Sequence, residues 1–206
     1  WRVVGFSRYV REGGDLVWRK WDGEEEIDLK GLRAVINLSG EAIDQRWTNQ
    51  RKAFFRKSRV DLTAKLSRAI VNSDVEVLLN ASATGIYGDR GDEGLTESAS
   101  AGENYLAGLC RDWEDAVDVP NNVRTVFLRT GVVLGKDSRA WEKMRSIFKW
   151  GIGGKLGDGK QWMPWIHLSD EVEGIVFCLE NEIEGQVNLV APGSVRNFEF
   201  TRAVGR

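Results

Sequence analysis

Val75-Glu-Val-Leu-Leu-Asn-Ala-Ser-Ala-Thr-Gly-Ile-Tyr-Gly-Asp-Arg90 is the stretch that decides the fold. An apolar run ends in small hydroxyl residues and then in Tyr87-Gly88. The pattern predicts a buried strand over Val77 to Ala81 that delivers Ser82, Thr84 and Tyr87 to the rim of a parallel sheet. In open α/β sheets, ligands bind in the crevice beyond the carboxyl ends of the strands. The same residues therefore supply a fold class and a candidate site.

Working outward, strands are predicted at Trp1 to Arg8, Ala34 to Leu38, Arg124 to Leu128, Trp165 to His167 and Gln186 to Val190, with a short one at Leu16 to Trp18. Helices are predicted over Asn49 to Val71, Tyr105 to Val117 and Trp141 to Trp150. In the first of these, Phe54, Leu62, Leu66 and Ile70 fall at helical spacing and define its apolar face. Another helix starts at a cap on Ser169 or Asp170 and runs to about Leu179. Gly88 to Gly102, Gly131 to Gly135 and the glycine-rich Gly151 to Gly159 are predicted loops. Strands alternating with helices argue for a doubly wound parallel sheet in an α/β protein.

At 206 residues the chain can bury a full core, and one domain is expected. Its net charge of −2 argues against general nucleic-acid binding. No apolar run approaches the roughly 20 residues that a membrane span needs. No signal-peptide pattern is present, so a cytoplasmic location is the expectation. Trp1 is not a natural translation start, and an incomplete N-terminus is expected as well. Cys110 and Cys178 are expected as reduced thiols, and no Cys/His spacing suits a metal. Arg46, Arg51, Lys52, Arg56, Lys57 and Arg59 follow one another without an intervening acid. They form either a solvated helix face or a place where ligand phosphates are met.

Several motifs fit one family. They include Ile36-Asn-Leu-Ser-Gly-Glu41, Arg46-Trp47, Ser58-Arg59, Ser82-Ala-Thr-Gly-Ile-Tyr-Gly-Asp-Arg-Gly-Asp92 and Leu109-Cys-Arg-Asp-Trp-Glu114. Further on come Leu128-Arg-Thr-Gly-Val-Val-Leu-Gly135, Gly151-Ile-Gly-Gly154, Trp165-Ile-His-Leu-Ser-Asp170, and Asn188 with Ala191-Pro192. In this order they resemble the extended short-chain dehydrogenase/reductases, and more narrowly their atypical, epimerase-like branch. The resemblance implies a single Rossmann-like NAD(P)-binding domain over residues 1–206, with 151–206 contributing the start of a substrate-side region. It also implies that the family's first strand-turn-helix, with its Gly-x-x-Gly-x-x-Gly turn, and its C-terminal region are lacking here.

The resemblance further assigns a cofactor set. Ser7-Arg8 ends what matches the family's second strand, where an arginine favours the 2′-phosphate of NADP over the free hydroxyl of NAD. The bland alternative is a surface arginine. Leu38, Ser39 and Gly40 are placed along the cofactor, Arg59 reaches it, and Val133 lies near its nicotinamide end. Ser82 or Thr84 would hold the reacting oxygen of a small-molecule substrate, sugar-like or otherwise polar. Tyr87 or Tyr105 is the proton-donor candidate. The Tyr-x-x-x-Lys pair that tunes such a tyrosine is absent, because the residues four after Tyr9, Tyr87 and Tyr105 are Gly13, Gly91 and Leu109. This leaves two expectations open: an NADP-dependent oxidoreductase or epimerase, and an NADP(H)-binding sensor or interaction module without turnover. Trp162, Trp165 and His167 are candidate substrate contacts, since tryptophan stacks on sugars and flat rings. Core packing and a structural histidine are the alternatives.

Overall fold

The computed structural model describes residues 1–9, 16–136, 138–150 and 153–205. Gly151 and Ile152, within the predicted glycine-rich loop, lie outside them. In chain order the elements are β1 (Val4–Ser7), β2 (Val17–Lys20), β3 (Ala34–Asn37), α1 (Asn49–Arg56), α2 (Leu62–Val71), β4 (Val77–Ala83), α3 (Tyr105–Asp115), β5 (Arg124–Thr130), β6 (Val132–Leu134), α4 (Arg139–Lys149), β7 (Trp162–Met163), β8 (Trp165–His167), α5 (Leu168–Glu180), β9 (Gly185–Leu189), β10 (Val195–Arg196) and α6 (Asn197–Val204). A π-helical turn, Lys57–Asp61, joins α1 to α2, and a 3-10 turn, Thr84–Tyr87, follows β4.

The central sheet is parallel, in the order β3-β4-β5-β9. Its β4 strand, Val77–Ala83, is largely buried because both faces are covered. Adjacent residues of β4 show this directly. Leu78 packs with Leu66 and Ile70 of α2, whereas Leu79 packs with Ile175 and Cys178 of α5. Helices thus lie on both faces, which is the Rossmann-like, doubly wound α/β arrangement. A second parallel pair, β1-β2, stands beside β3 without joining its ladder. The pairs β6-β8 (parallel) and β7-β10 (antiparallel) extend the fold past β5. Both cysteines are buried and free.

Three expectations need correction. The long helix is interrupted by the π turn, and Phe55, not Phe54, is its buried phenylalanine. Gly131 to Gly135 is not a loop, since Val132–Leu134 pairs with β8. The cap of α5 is His167, whose Nδ1 accepts from the Ser169 amide at 3.2 Å, rather than Ser169 or Asp170. A β6 strand of three residues bounded by glycines is too short to show a period in the sequence.

Candidate functional site

Between the β1-β2 pair and β3 lies a cavity of about 740 Å³, roofed by the helix α1–α2. The carboxyl ends of β1 and β3 both open onto it. Ser7 and Arg8 line one side, and Leu38, Ser39 and Gly40 line the other. Five residues of the expected cofactor set are therefore gathered at one crevice, although about thirty positions separate the two groups in sequence. Arg59 stands against the same loop. Its Nη1 donates to the Glu41 carbonyl at 2.9 Å, and a Cβ at Gly40 would come within 3.0 Å of the guanidinium. Glycine at 40 therefore lets the loop and the arginine approach closely. Burial pulls the Arg59 pKa below its usual value, and the guanidinium lies 5.1 Å from the ring of Trp113. Val133 is not on this cavity; it packs on β6 against the core that holds Leu128 and Ile166.

The loop after β3 is held from below. Asn37 Nδ2 donates to Asn80 Oδ1 at 2.7 Å and to Thr63 Oγ1 at 3.0 Å, while its Oδ1 accepts from the Ser39 amide at 3.2 Å. Trp113 Nε1 donates to Thr63 Oγ1 at 3.0 Å. Ser58 Oγ accepts from the Glu41 amide at 2.9 Å. Each of these buried polar groups has a partner, so the network rigidifies the rim without a desolvation penalty. Arg8 reaches across the mouth to Glu41, with 3.6 Å between Nη2 and Oε2.

The hydroxyl cluster is organised differently. Ser82, Arg129 and Asn188 share one register row across β4, β5 and β9. Ser82 Oγ donates to Glu114 Oε1 at 2.6 Å. Arg129 grips the Glu114 carboxylate in a fork at 2.9 and 2.8 Å, and its Nη1 donates to Tyr87 Oη at 3.1 Å. Tyr87 Oη donates onward to Asn188 Oδ1 at 2.6 Å. Burial by itself would lower the Arg129 pKa, but hydrogen bonds to Glu114 and Tyr87 more than reverse it, and the net shift is upward. Gly102 makes the position of Tyr87 possible, because a Cβ there would stand 2.6 Å from the Tyr87 carbonyl oxygen.

Ser82 and Tyr87 are thus brought together, with both hydroxyls engaged inside the protein. Thr84 stands apart at the strand end, half-buried, with its hydroxyl 3.5 Å from the Thr130 carbonyl. Tyr105 is elsewhere. Its hydroxyl donates to the Lys52 carbonyl at 3.3 Å, and Lys52 Nζ lies 4.7 Å from its ring centroid. A lysine does meet a tyrosine here, but it comes from α1 and not from one turn along α3.

Trp162 Nε1 donates to Asp92 Oδ1 at 2.9 Å, and Arg196 lies 4.6 Å over the Trp162 ring while also binding Asp92 at 2.7 Å. Trp165 Nε1 donates to the Gly193 carbonyl at 3.1 Å. The contacts of Trp162 and Arg196 with Asp92 clamp the loop that follows Tyr87 onto the β7-β10 pair. His167 is committed to the α5 cap and to Ser169 Oγ at 2.7 Å.

Residues 15–190 match the NAD dependent epimerase/dehydratase family. This chain belongs to that family. It is 38% identical over 198 residues to the epimerase family protein ML0860 of Mycobacterium leprae, a match covering 93% of this chain and 64% of that protein. It is 33% identical over 215 residues to the epimerase family protein YfhF of Bacillus subtilis, covering 99% and 71%. The chain thus spans somewhat less than two thirds of the mycobacterial relatives, at 64% and 65% of their length. The solved structure of the human epimerase family protein SDR39U1 (isoform 2) with NADPH superposes with a TM-score of 0.86 at 29% identity, covering 100% of this chain and 72% of that one.

Two polar sets in this member of the epimerase/dehydratase family escape a reading of the sequence. One is Asn37, Thr63, Asn80 and Trp113, and the other is Glu114, Arg129 and Asn188. A signal for the first exists, since Asn37 and Asn80 each interrupt an apolar strand and pair in register. In the second, Glu114, Arg129 and Asn188 each fall within a motif of the family resemblance, but nothing in the sequence joins the three.

Proposed function

We propose that this chain binds NADP(H) across the carboxyl ends of β1 and β3 and acts on a carbinol or carbonyl group of a sugar-like or other small polar molecule. The observation that carries the reading is the gathering of Ser7, Arg8, Leu38, Ser39 and Gly40 on one cavity. The residues present fit a dinucleotide phosphate. A permanently charged arginine follows β1, and the backbone at Gly40 is stripped of side chain beside the half-buried Arg59. The NADPH in the human relative's structure supports the same cofactor here.

Within this reading Arg8 meets the 2′-phosphate, and Leu38 to Gly40 pass along the dinucleotide, braced by Arg59. The bound nicotinamide would supply or accept a hydride. Thr84 is the rim hydroxyl that orients the substrate oxygen, while Ser82 and Tyr87 hold the shape of the rim through Glu114 and Arg129. A second reading, cofactor binding without turnover, is favoured by a specific observation. The hydroxyls of Ser82, Tyr87 and Tyr105 are all engaged internally, and the Tyr-x-x-x-Lys pair is missing.

Titration of the purified protein with NADPH, with NADH as control, tests the shared part. Nine tryptophans provide the emission to be quenched and the energy transfer to the reduced nicotinamide. Saturable binding that prefers NADPH is expected. Equal binding of both would remove the role given to Arg8. Consumption of bound NADPH with any member of a panel of ketose, aldose and nucleotide-sugar substrates separates the enzyme from the sensor.

A further inference from the structure

Arg8 is not alone at the cavity mouth. Its guanidinium Nη2 lies 3.6 Å from Glu41 Oε2, and the two side chains are 66% and 28% exposed. They stand on opposite lips, Arg8 at the end of β1 and Glu41 in the turn that follows β3. Glu41 is the better-held partner. Its amide donates to Ser58 Oγ at 2.9 Å, its carbonyl accepts from Arg59 at 2.9 Å, and Gln45 Nε2 stands 3.5 Å from its Oε1. Lys57 and Lys65, which also line the cavity, are engaged at a different part of the wall, where they pair with Glu24 at 2.9 and 3.6 Å.

We infer that Glu41 is a specificity-determining residue of the cofactor site: its carboxylate occupies the place of a phosphate on Arg8, and a ligand carrying a 2′-phosphate must exchange with it. The inference rests on the cofactor reading above. A phosphate brings a second negative charge and three acceptor oxygens, and an arginine can bind it in a fork. The single exposed contact to Glu41 is far weaker, so the phosphate wins the exchange. A ligand with a plain 2′-hydroxyl has no charge with which to compete, and it leaves the Arg8–Glu41 pair closed. Glu41 therefore taxes NADPH and not NADH. The tax is bounded by the worth of an exposed ion pair, which corresponds to at most about fivefold in affinity.

The test is the dissociation constants of NADPH and NADH, read by tryptophan emission, for the parent, Glu41→Gln and Arg8→Ala. Glutamine keeps both backbone hydrogen bonds of residue 41, and unchanged thermal midpoints check the fold of the variants. Glu41→Gln is expected to tighten NADPH by about two- to fivefold and to leave NADH unchanged, with the gain shrinking as salt is raised. Arg8→Ala is expected to abolish the preference. Should the parent prefer NADPH while Glu41→Gln leaves that preference unchanged or weakens it, the exchange is overturned and the cofactor reading stands. Should the parent bind neither dinucleotide, or bind both equally, the role of Arg8 falls and that of Glu41 falls with it.

Discussion

Glu171, in the first turns of α5, is buried with no cation beside it among the described residues. Its Oε1 accepts from Thr130 Oγ1 at 2.9 Å, and its Oε2 has no hydrogen-bond partner among the described residues. The strands packed on α5 include β4, β5, β6, β8 and β9, the last through Leu189. Of their charged groups, Arg124 binds the carbonyls of Cys178, Leu179 and Ile183 at the far end of the helix, Arg129 faces the opposite side with Glu114, and His167 caps the helix. Burial therefore pushes the Glu171 carboxyl above the usual glutamate value near 4.5, against a smaller lowering by the Thr130 hydroxyl. The folded state holds this proton more tightly than the unfolded chain does. The resulting stability is fully present below that usual value and is lost as pH rises through the raised one. Glu171→Gln, which keeps a neutral group of the same shape, is expected to gain on the parent as pH climbs. Urea midpoints measured across the pH range check it, and parallel profiles for the two proteins would sink the idea. Nothing in Ser169-Asp-Glu-Val-Glu173 singles out Glu171 from its acidic neighbours, because burial is a property of the packed helix face.

The helical stretch from Asn49 to Val71 shows what a single inserted residue does to an element. Helical spacing selects Phe54, Leu62, Leu66 and Ile70 as the inward face, and the structure keeps Leu66 and Ile70. The π turn at Lys57–Asp61 adds one residue to the winding, so that the buried positions become Phe55 upstream of it and Val60 within it. The same shift leaves Arg59 free to reach Glu41 and Trp113. Phe55 is fully buried, whereas Phe54 is 46% exposed on the cavity side. Phe55→Ala is expected to cost about 3–5 kcal/mol of unfolding free energy, since a large ring is deleted from a closed core. Phe54→Ala should cost about 0.5 kcal/mol or less. Chemical denaturation of both variants tests the phase of the helix, and comparable losses would argue for an uninterrupted α-helix. A single period cannot reveal such an insertion, because the turn on either side of it obeys the ordinary 3.6-residue repeat.

At the scale of the whole molecule, the sheet is in two parts. In the sheet β3-β4-β5-β9, the strands β4, β5 and β9 share a core that includes Leu79, Val126, Leu128 and Leu189, and β3 packs through Val35 with Leu78 of β4, whereas among the described residues β1 and β2 pair only with each other. A lone two-stranded pair is marginally stable and opens more easily than a packed sheet. Amides of β1 and β2 are therefore expected to exchange with solvent deuterium well before those of β4 and β5, and NADPH is expected to slow them selectively. Mass-spectrometric exchange on the parent protein reads both. Equal protection of β1 and β4 without ligand would show that the two parts open as one unit.

The strand over Val77 to Ala81, its alternation with helices and the motif run from Ile36 to Pro192 were legible in the residues themselves. Apolar runs, turn residues and caps act over a few positions, and local order is what a linear pattern encodes. Only tertiary structure decided which groups meet. It placed Ser7 and Arg8 opposite Leu38 to Gly40, drew Ser82 and Tyr87 into the grip of Arg129 and Glu114, and gave Tyr105 to Lys52. It also turned Trp162 and His167 to clamping and capping. These outcomes depend on strand register and on the phase of helices packed from distant parts of the chain. A hydroxyl or a ring has no assigned partner until that packing removes water from around it.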